Sequence, residues 1–221
     1  MKKKLKLMAV IVALLMLVLI IARFQIVSLQ SKVSDTIRVA CVGDSITEAT
    51  EYPSDLQSLL GSNYTVDNFG HSGATVSLNT GCSYINQSEF QEALKFQPEI
   101  VVIMLGTNDD HSWARQYNES FEHDYTALIT SFQQLDSNPQ IWLVKPPPIF
   151  NNNSDLSNTY FSENIIPKIQ DLANKLNLPT IDANSALANH ADYFTDGVHP
   201  NGQGAEIIAN EVYNATNSHD N

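Results

Sequence analysis

Four short segments carry side chains suited to nucleophilic chemistry, and they follow one another as Gly43-Asp44-Ser45-Ile46-Thr47, Asn68-Phe69-Gly70-His71-Ser72-Gly73, Gly106-Thr107-Asn108-Asp109 and Asp196-Gly197-Val198-His199-Pro200. In the first, glycine permits a tight turn and Ser45 stands where a helix would open, so its hydroxyl is either a nucleophile or an ordinary helix cap. In the second, the glycines let backbone N–H groups approach a ligand closely, or simply make a turn. The third offers the amide of Asn108, which could equally close an Asx-turn. In the fourth, the three-residue step from Asp196 to His199 lets the carboxylate hold one ring nitrogen across a turn, leaving the other to take a proton from a serine. Each segment has a plain structural explanation by itself. Those explanations do not account for all four occurring in order, each beside a strand end.

Residues so far apart need a scaffold that brings loop after loop to one edge. Short apolar runs alternate with longer amphipathic ones, the pattern of βαβ units around a parallel sheet. Strands are predicted at Ile37–Val42, Tyr64–Asn68, Glu99–Leu105, Gln140–Val144 and Pro179–Ile181, and helices at Tyr52–Leu60, Ser88–Phe96, Glu119–Leu135, Asn158–Leu176 and Gly202–Asn214. The third strand is apolar nearly throughout, as a strand covered on both faces must be, and is expected at the sheet centre. Ligands of open α/β sheets bind beyond the carboxyl ends of the strands, where the four segments fall. The polar tract Asn151–Asp155, after Pro146–Pro148, is expected to overhang that edge.

With these blocks in this order the sequence resembles the SGNH hydrolase family, also called GDSL-like esterases, over about Ile37 to Asn214. GDSIT matches the nucleophile block, NFGHSG the glycine block, GTND the asparagine block and DGVHP the acid–base block; Ile46 in place of the eponymous leucine is an apolar exchange at a packing position. The resemblance implies a three-layer α/β/α sandwich around a five-stranded parallel sheet of flavodoxin-like type. It implies Ser45 as nucleophile, His199 and Asp196 as the rest of a triad, and an oxyanion hole from the backbone N–H groups of Ser45 and Gly73 with the amide of Asn108, and neither metal nor cofactor. The tail Thr195–Ala215 and the KPPP run are similar to bacterial members acting as carbohydrate or sialate O-acetylesterases, which implies a short acyl ester, acetyl above all, on a glycan. A lysophospholipase or thioesterase acting on lipid, and a non-catalytic glycan-binding envelope protein, are the alternatives.

The chain has 221 residues, and its composition suits a foldable domain at 35–221 behind a targeting segment at 1–34. Lys2, Lys3, Lys4 and Lys6 precede an apolar run from Leu7 to Ala22 with no A-x-A-like site after it; an uncleaved anchor, with the domain outside the cell, is expected. Beyond residue 34, 6 basic residues face 24 acidic ones, a formal charge of −18 that excludes nucleic acid as a natural partner. The expected partners are a small or glycan ester and, through the N-terminal segment, a membrane; the oligomeric state is left open. Cys41 falls in a predicted buried strand and Cys82 in a loop, outside any metal-binding spacing, and Cys41 is expected to be free. Tyr84, His111, Trp113 and Phe150 lie in segments that could rim a pocket or serve packing.

Overall fold

Five apolar runs lie side by side in the computed structural model, which describes residues 15–19, 21, 23, 36–150 and 155–217. The chain divides into two units, 1–36 and 37–221. In the first, residues 15–19, 21 and 23 are helical and exposed. The rest of the expected anchor lies outside the described residues, as do residues 151–154 of the polar tract. Among the described residues no helix is long and apolar enough to cross a membrane.

The second unit holds strands β1 (Ile37–Gly43), β2 (Tyr64–Gly70), β3 (Ile100–Met104), β4 (Gln140–Lys145) and β5 (Thr180–Asp182). All pair in parallel in the order β2-β1-β3-β4-β5, with β3 at the centre as its apolar sequence predicts. Successive side chains of a strand face opposite ways. Val101 and Ile103 therefore enter one core while Val102 and Met104 enter the other, and all four are buried.

The helices are α1 (Ser45–Ala49), α2 (Tyr52–Leu60), α3 (Ser88–Phe96), α4 (Phe121–Gln133), α5 (Ile166–Leu176), α6 (Ala183–Leu187) and α7 (Gly202–Asn217). Tyr52 and Leu56 of α2 join Ile208 and Val212 of α7 in one core; Phe90 of α3, Phe132 of α4 and Ile169 of α5 join the other. The result is a three-layer α/β/α sandwich with the flavodoxin-like strand order. The helix expected over Asn158–Leu176 is interrupted by a π-helical turn, Phe161–Ile165. Pro167 has no N–H to give the carbonyl one turn back, which loosens that turn, and the wider turn lets Phe161 and Ile165 both reach the core. The short α6 has no signature in the sequence because five residues show no period.

Register sets the site. Gly43 of β1 lies level with Gly70 of β2 and Met104 of β3, so three loops leave the sheet from one line. Gly70 also lies directly under α1: an added Cβ would stand 2.8 Å from the Thr47 carbonyl carbon and closer still to the Glu48 backbone. Neither is a flexible tip that can retract. Gly70→Ala is expected to destabilise the fold by about 2–3 kcal/mol and to lower Tm by roughly 5–10 °C in calorimetry; an unchanged Tm would mean that α1 lifts off β2 freely.

Candidate active site

The strand order reverses between β1 and β3, and the crevice beyond their carboxyl ends is where such sheets receive ligands. Asp44 leaves β1 there and caps α1, its Oδ1 accepting from the Ile46 N–H at 2.9 Å. The cap is thus Asp44, and Ser45 has another use for its hydroxyl: Oγ lies 2.9 Å from His199 Nε2. Ile46 is buried in the core, so the exchange for leucine is indeed a packing matter. Burial raises the Asp44 carboxyl to about 6, against the opposing pull of the Ile46 N–H and the His199 ring.

His199 is presented by a loop that folds back on itself through a bridge between Phe194 and Pro200. Gly197 takes a positive φ of 82°, which lets the loop turn between Asp196 and His199. Asp196 Oδ1 accepts from the N–H groups of Val198 and His199 at 2.9 and 2.8 Å, and Oδ2 lies 2.6 Å from His199 Nδ1. Partial burial pushes the Asp196 carboxyl up, but the His199 N–H, the His199 ring and the Val198 N–H outweigh it and hold the group at about 2. The Phe150 N–H donates to the Gly197 carbonyl at 2.7 Å, tying this loop to the segment after β4. Ser45, His199 and Asp196 therefore form one hydrogen-bonded line, although 154 residues separate its first pair.

The glycine and asparagine blocks meet on the neighbouring loops. The His71 N–H donates to the Gly43 carbonyl at 3.0 Å, and Gly73 adopts a φ of 77° in the turn that follows. The Asn108 amide, nearly buried, donates through Nδ2 to the Ala74 carbonyl at 3.0 Å, joining the block after β3 to the residue after Gly73. The ring of His71 faces Glu89 of α3 at 3.0 Å.

Three carboxylates brace these loops, a role not assigned to any of them from sequence although Asp109 belongs to the third segment. Glu48, on α1, accepts from the Ser72 N–H at 2.8 Å and from the Ser72 hydroxyl. Asp110 accepts from the Ser157 N–H at 2.6 Å and pairs with Arg115. Asp109 accepts from the N–H groups of Val76 and Ser77 at 2.8 and 3.0 Å and from the Ser77 hydroxyl at 2.6 Å. A signal existed for Asp109 and Asp110: two acids directly beyond an apolar central strand must find donors or remain in water.

Burial raises the Asp109 carboxyl to about 6 in spite of those donors. A folded-state pKa above the unfolded carboxylate value of about 3.9 stabilises the fold below that value, and the contribution is lost as pH rises through 6. Asp44 acts in the same direction and window. Asp196, held low, contributes above about 3.9 and loses that contribution only as pH falls towards 2. Unfolding free energy from these groups is accordingly expected to decline between pH 4 and 6.5. In Asp109→Asn the decline should be shallower by roughly 1–3 kcal/mol across that window, read from denaturant titrations; equal slopes would contradict it.

Of the four aromatic candidates, Tyr84 is fully buried, its hydroxyl donating to the Phe69 carbonyl, and Phe150 packs on Phe194. Trp113 and His111 stack on each other at the surface. Cys41 and Cys82 are both free, and burial pushes the Cys41 thiol up to about 12. Among the described residues, no group of three or more His, Cys, Asp or Glu side chains could hold a metal ion.

The sequence profile of the GDSL-like lipase/acylhydrolase family matches residues 41–207. An acetylxylan esterase of Xylanibacter ruminicola is 34% identical over 209 residues, covering 82% of this chain and 43% of the relative, so the chain spans less than half the length of that protein. Among solved structures, an aryl esterase of M. smegmatis superposes with a TM-score of 0.68 at 19% identity, covering 83% of this chain and 99% of the other. A carbohydrate acetylesterase of Sinorhizobium meliloti has the same TM-score, 0.68, at 18% identity and the same coverage, 83% and 99%. An acetyl xylan esterase gives 0.65 at 22% identity, covering 81% and 99%. At these identities the structural likeness concerns the fold.

Proposed function

The chain belongs to the GDSL-like lipase/acylhydrolase family of carboxylic ester hydrolases, and from that premise we propose that it removes short acyl groups, acetyl above all, from esterified carbohydrate through an acyl-enzyme on Ser45. The single observation that carries this reading is the hydrogen-bonded line from Ser45 Oγ to His199 Nε2 at 2.9 Å and from His199 Nδ1 to Asp196 at 2.6 Å. An imidazole so held takes the serine proton as Oγ adds to the ester carbonyl. The carbonyl oxygen becomes an oxyanion, received by the N–H groups of Ser45 and Gly73 and the amide of Asn108. As the tetrahedral centre collapses, the C–O bond to the sugar breaks and His199 returns the proton to the leaving alcohol. Water, deprotonated by the same ring, then adds to the acyl carbon; Ser45 Oγ leaves, reclaims the proton, and the acid departs.

Asp196 fixes the ring so that Nε2 faces Ser45, and its low pKa keeps it ionised through both steps. The acetylesterase names among the relatives support a short acyl group on a glycan. The lysines and apolar run at the N-terminus support placement of the domain outside the cell, at the membrane. To test the substrate class, rates are compared on acetyl and octanoyl esters of one alcohol and on acetylated xylo-oligosaccharide. Acetyl preference with acetate release from the oligosaccharide is expected. Preference for octanoyl would transfer the site to lipid chemistry, and no turnover of any ester would favour a non-catalytic glycan-binding domain.

A further inference from the structure

We propose that Trp113, backed by His111, is a stacking platform for a neutral pyranose ring, the subsite that holds the sugar while its ester lies at Ser45; this rests on the esterase reading above. Trp113 keeps 39% of its surface exposed, whereas Trp142 is buried at 2% and Tyr84 at 0%. The adjacent Ala114, not the indole, is the residue of this loop that enters the interior, at 1% exposure. With the His111 ring stacked on it, the indole is half of an exposed aromatic pair rather than a lone apolar side chain.

The platform stands on the loop that carries Asn108 and is rigid. The His111 N–H closes a turn on the Asn108 carbonyl at 3.2 Å, and the Ala114 N–H closes the next on the His111 carbonyl at 2.8 Å. Five residues from Asn108, Trp113 lies at most about 17 Å from it even on an extended chain, and these turns shorten that reach. The His111 ring is parallel to the indole within 16° at a centroid distance of 5.5 Å. Its Nδ1 lies 2.8 Å from Asp155, which also accepts from the Ser112 hydroxyl at 2.6 Å. The ring behind Trp113 is thus clamped from the segment after β4, and the indole is presented with little orientational freedom to lose on binding.

The chemistry favours a neutral sugar. A pyranose has an apolar C–H face and a rim of hydroxyls, which suits an indole face on a loop that also carries the polar Ser112 and Gln116 and is bound to Asp155. An anionic sugar would meet the exposed Asp155 and a domain of formal charge −18.

The test uses the full chain as wild type, Trp113→Ala and Trp113→Phe, with acetylated xylo-oligosaccharide and with ethyl acetate, which has no ring to stack. Trp113→Ala is expected to lose about five- to tenfold more kcat/KM on the oligosaccharide than on ethyl acetate, through KM, and Trp113→Phe to recover most of it. An equal change on both esters overturns the platform while leaving the esterase standing. Separately, saturation-transfer NMR of the deacetylated oligosaccharide on Ser45→Ala protein should show sugar contact that disappears when Trp113→Ala is added. That signal persisting without Trp113, or absent with it, overturns the platform. Trp113-dependent contact in a protein that hydrolyses neither ester supports the platform and sinks the esterase reading instead.

Discussion

Replacing His199 by alanine is expected to lower kcat on a short acyl ester by roughly 10⁴–10⁶-fold with the fold intact. The imidazole is the one side chain that touches both neighbours in the line, Ser45 Oγ at 2.9 Å and Asp196 at 2.6 Å, so its loss leaves the hydroxyl with no base and the leaving alcohol with no acid. Nothing in the core should move, since the His199 ring is partly exposed and the loop retains the Phe194–Pro200 bridge and the Phe150 bond to Gly197. The Tm should accordingly stay within a few degrees, as for other surface changes away from the core, of about 0.5 kcal/mol. Steady-state kinetics on acetyl esters, with a melting curve on the same preparation, checks both halves. A loss below about tenfold would show that another group takes the proton.

Asn108→Ala is expected to cost about 10²–10³ in kcat with little change in KM, the usual consequence of removing one donor from a developing oxyanion. One amide hydrogen of Asn108 is held by the Ala74 carbonyl, and that bond sets the plane in which the second is offered. Alanine removes both, so the buried Ala74 carbonyl also loses this donor and stability should fall by about 1–3 kcal/mol. The two losses separate in measurement: kcat reports the offered hydrogen, Tm the bond to Ala74. A variant with lowered Tm and unchanged kcat would reduce Asn108 to a brace.

The central strand β3 was legible because burial on both faces leaves little choice of residue, and the helices α2 and α3 because proline or polar entry and an apolar face mark them. The four chemical segments were legible as local patterns, and the structure places each at the carboxyl edge of the sheet or in the loop before α7. The braces were not. Glu48 and Asp109 act on backbone N–H groups 24 and 33 residues away, and such pairings follow from register between strands rather than from any local pattern. The choice between cap and nucleophile at Ser45 could not be made from GDSIT alone either, because both Asp44 and Ser45 are good caps; the Ile46 N–H decides it by binding Asp44. The π-turn before α5 was hidden because Pro167 at a helix start is ordinarily a mark of entry and here also loosens the turn before it.

The most direct measurement is the site of covalent capture. The protein is treated with a phosphonofluoridate, which a serine activated by a neighbouring base attacks with loss of fluoride, and the labelled peptide is identified by mass spectrometry. One adduct on Ser45 is expected, absent from Ser45→Ala and slowed in His199→Ala in proportion to the loss of kcat. An adduct on any other residue, or undiminished ester hydrolysis by Ser45→Ala, would contradict the assignment of Ser45 as the nucleophile and with it the mechanism built on that hydroxyl.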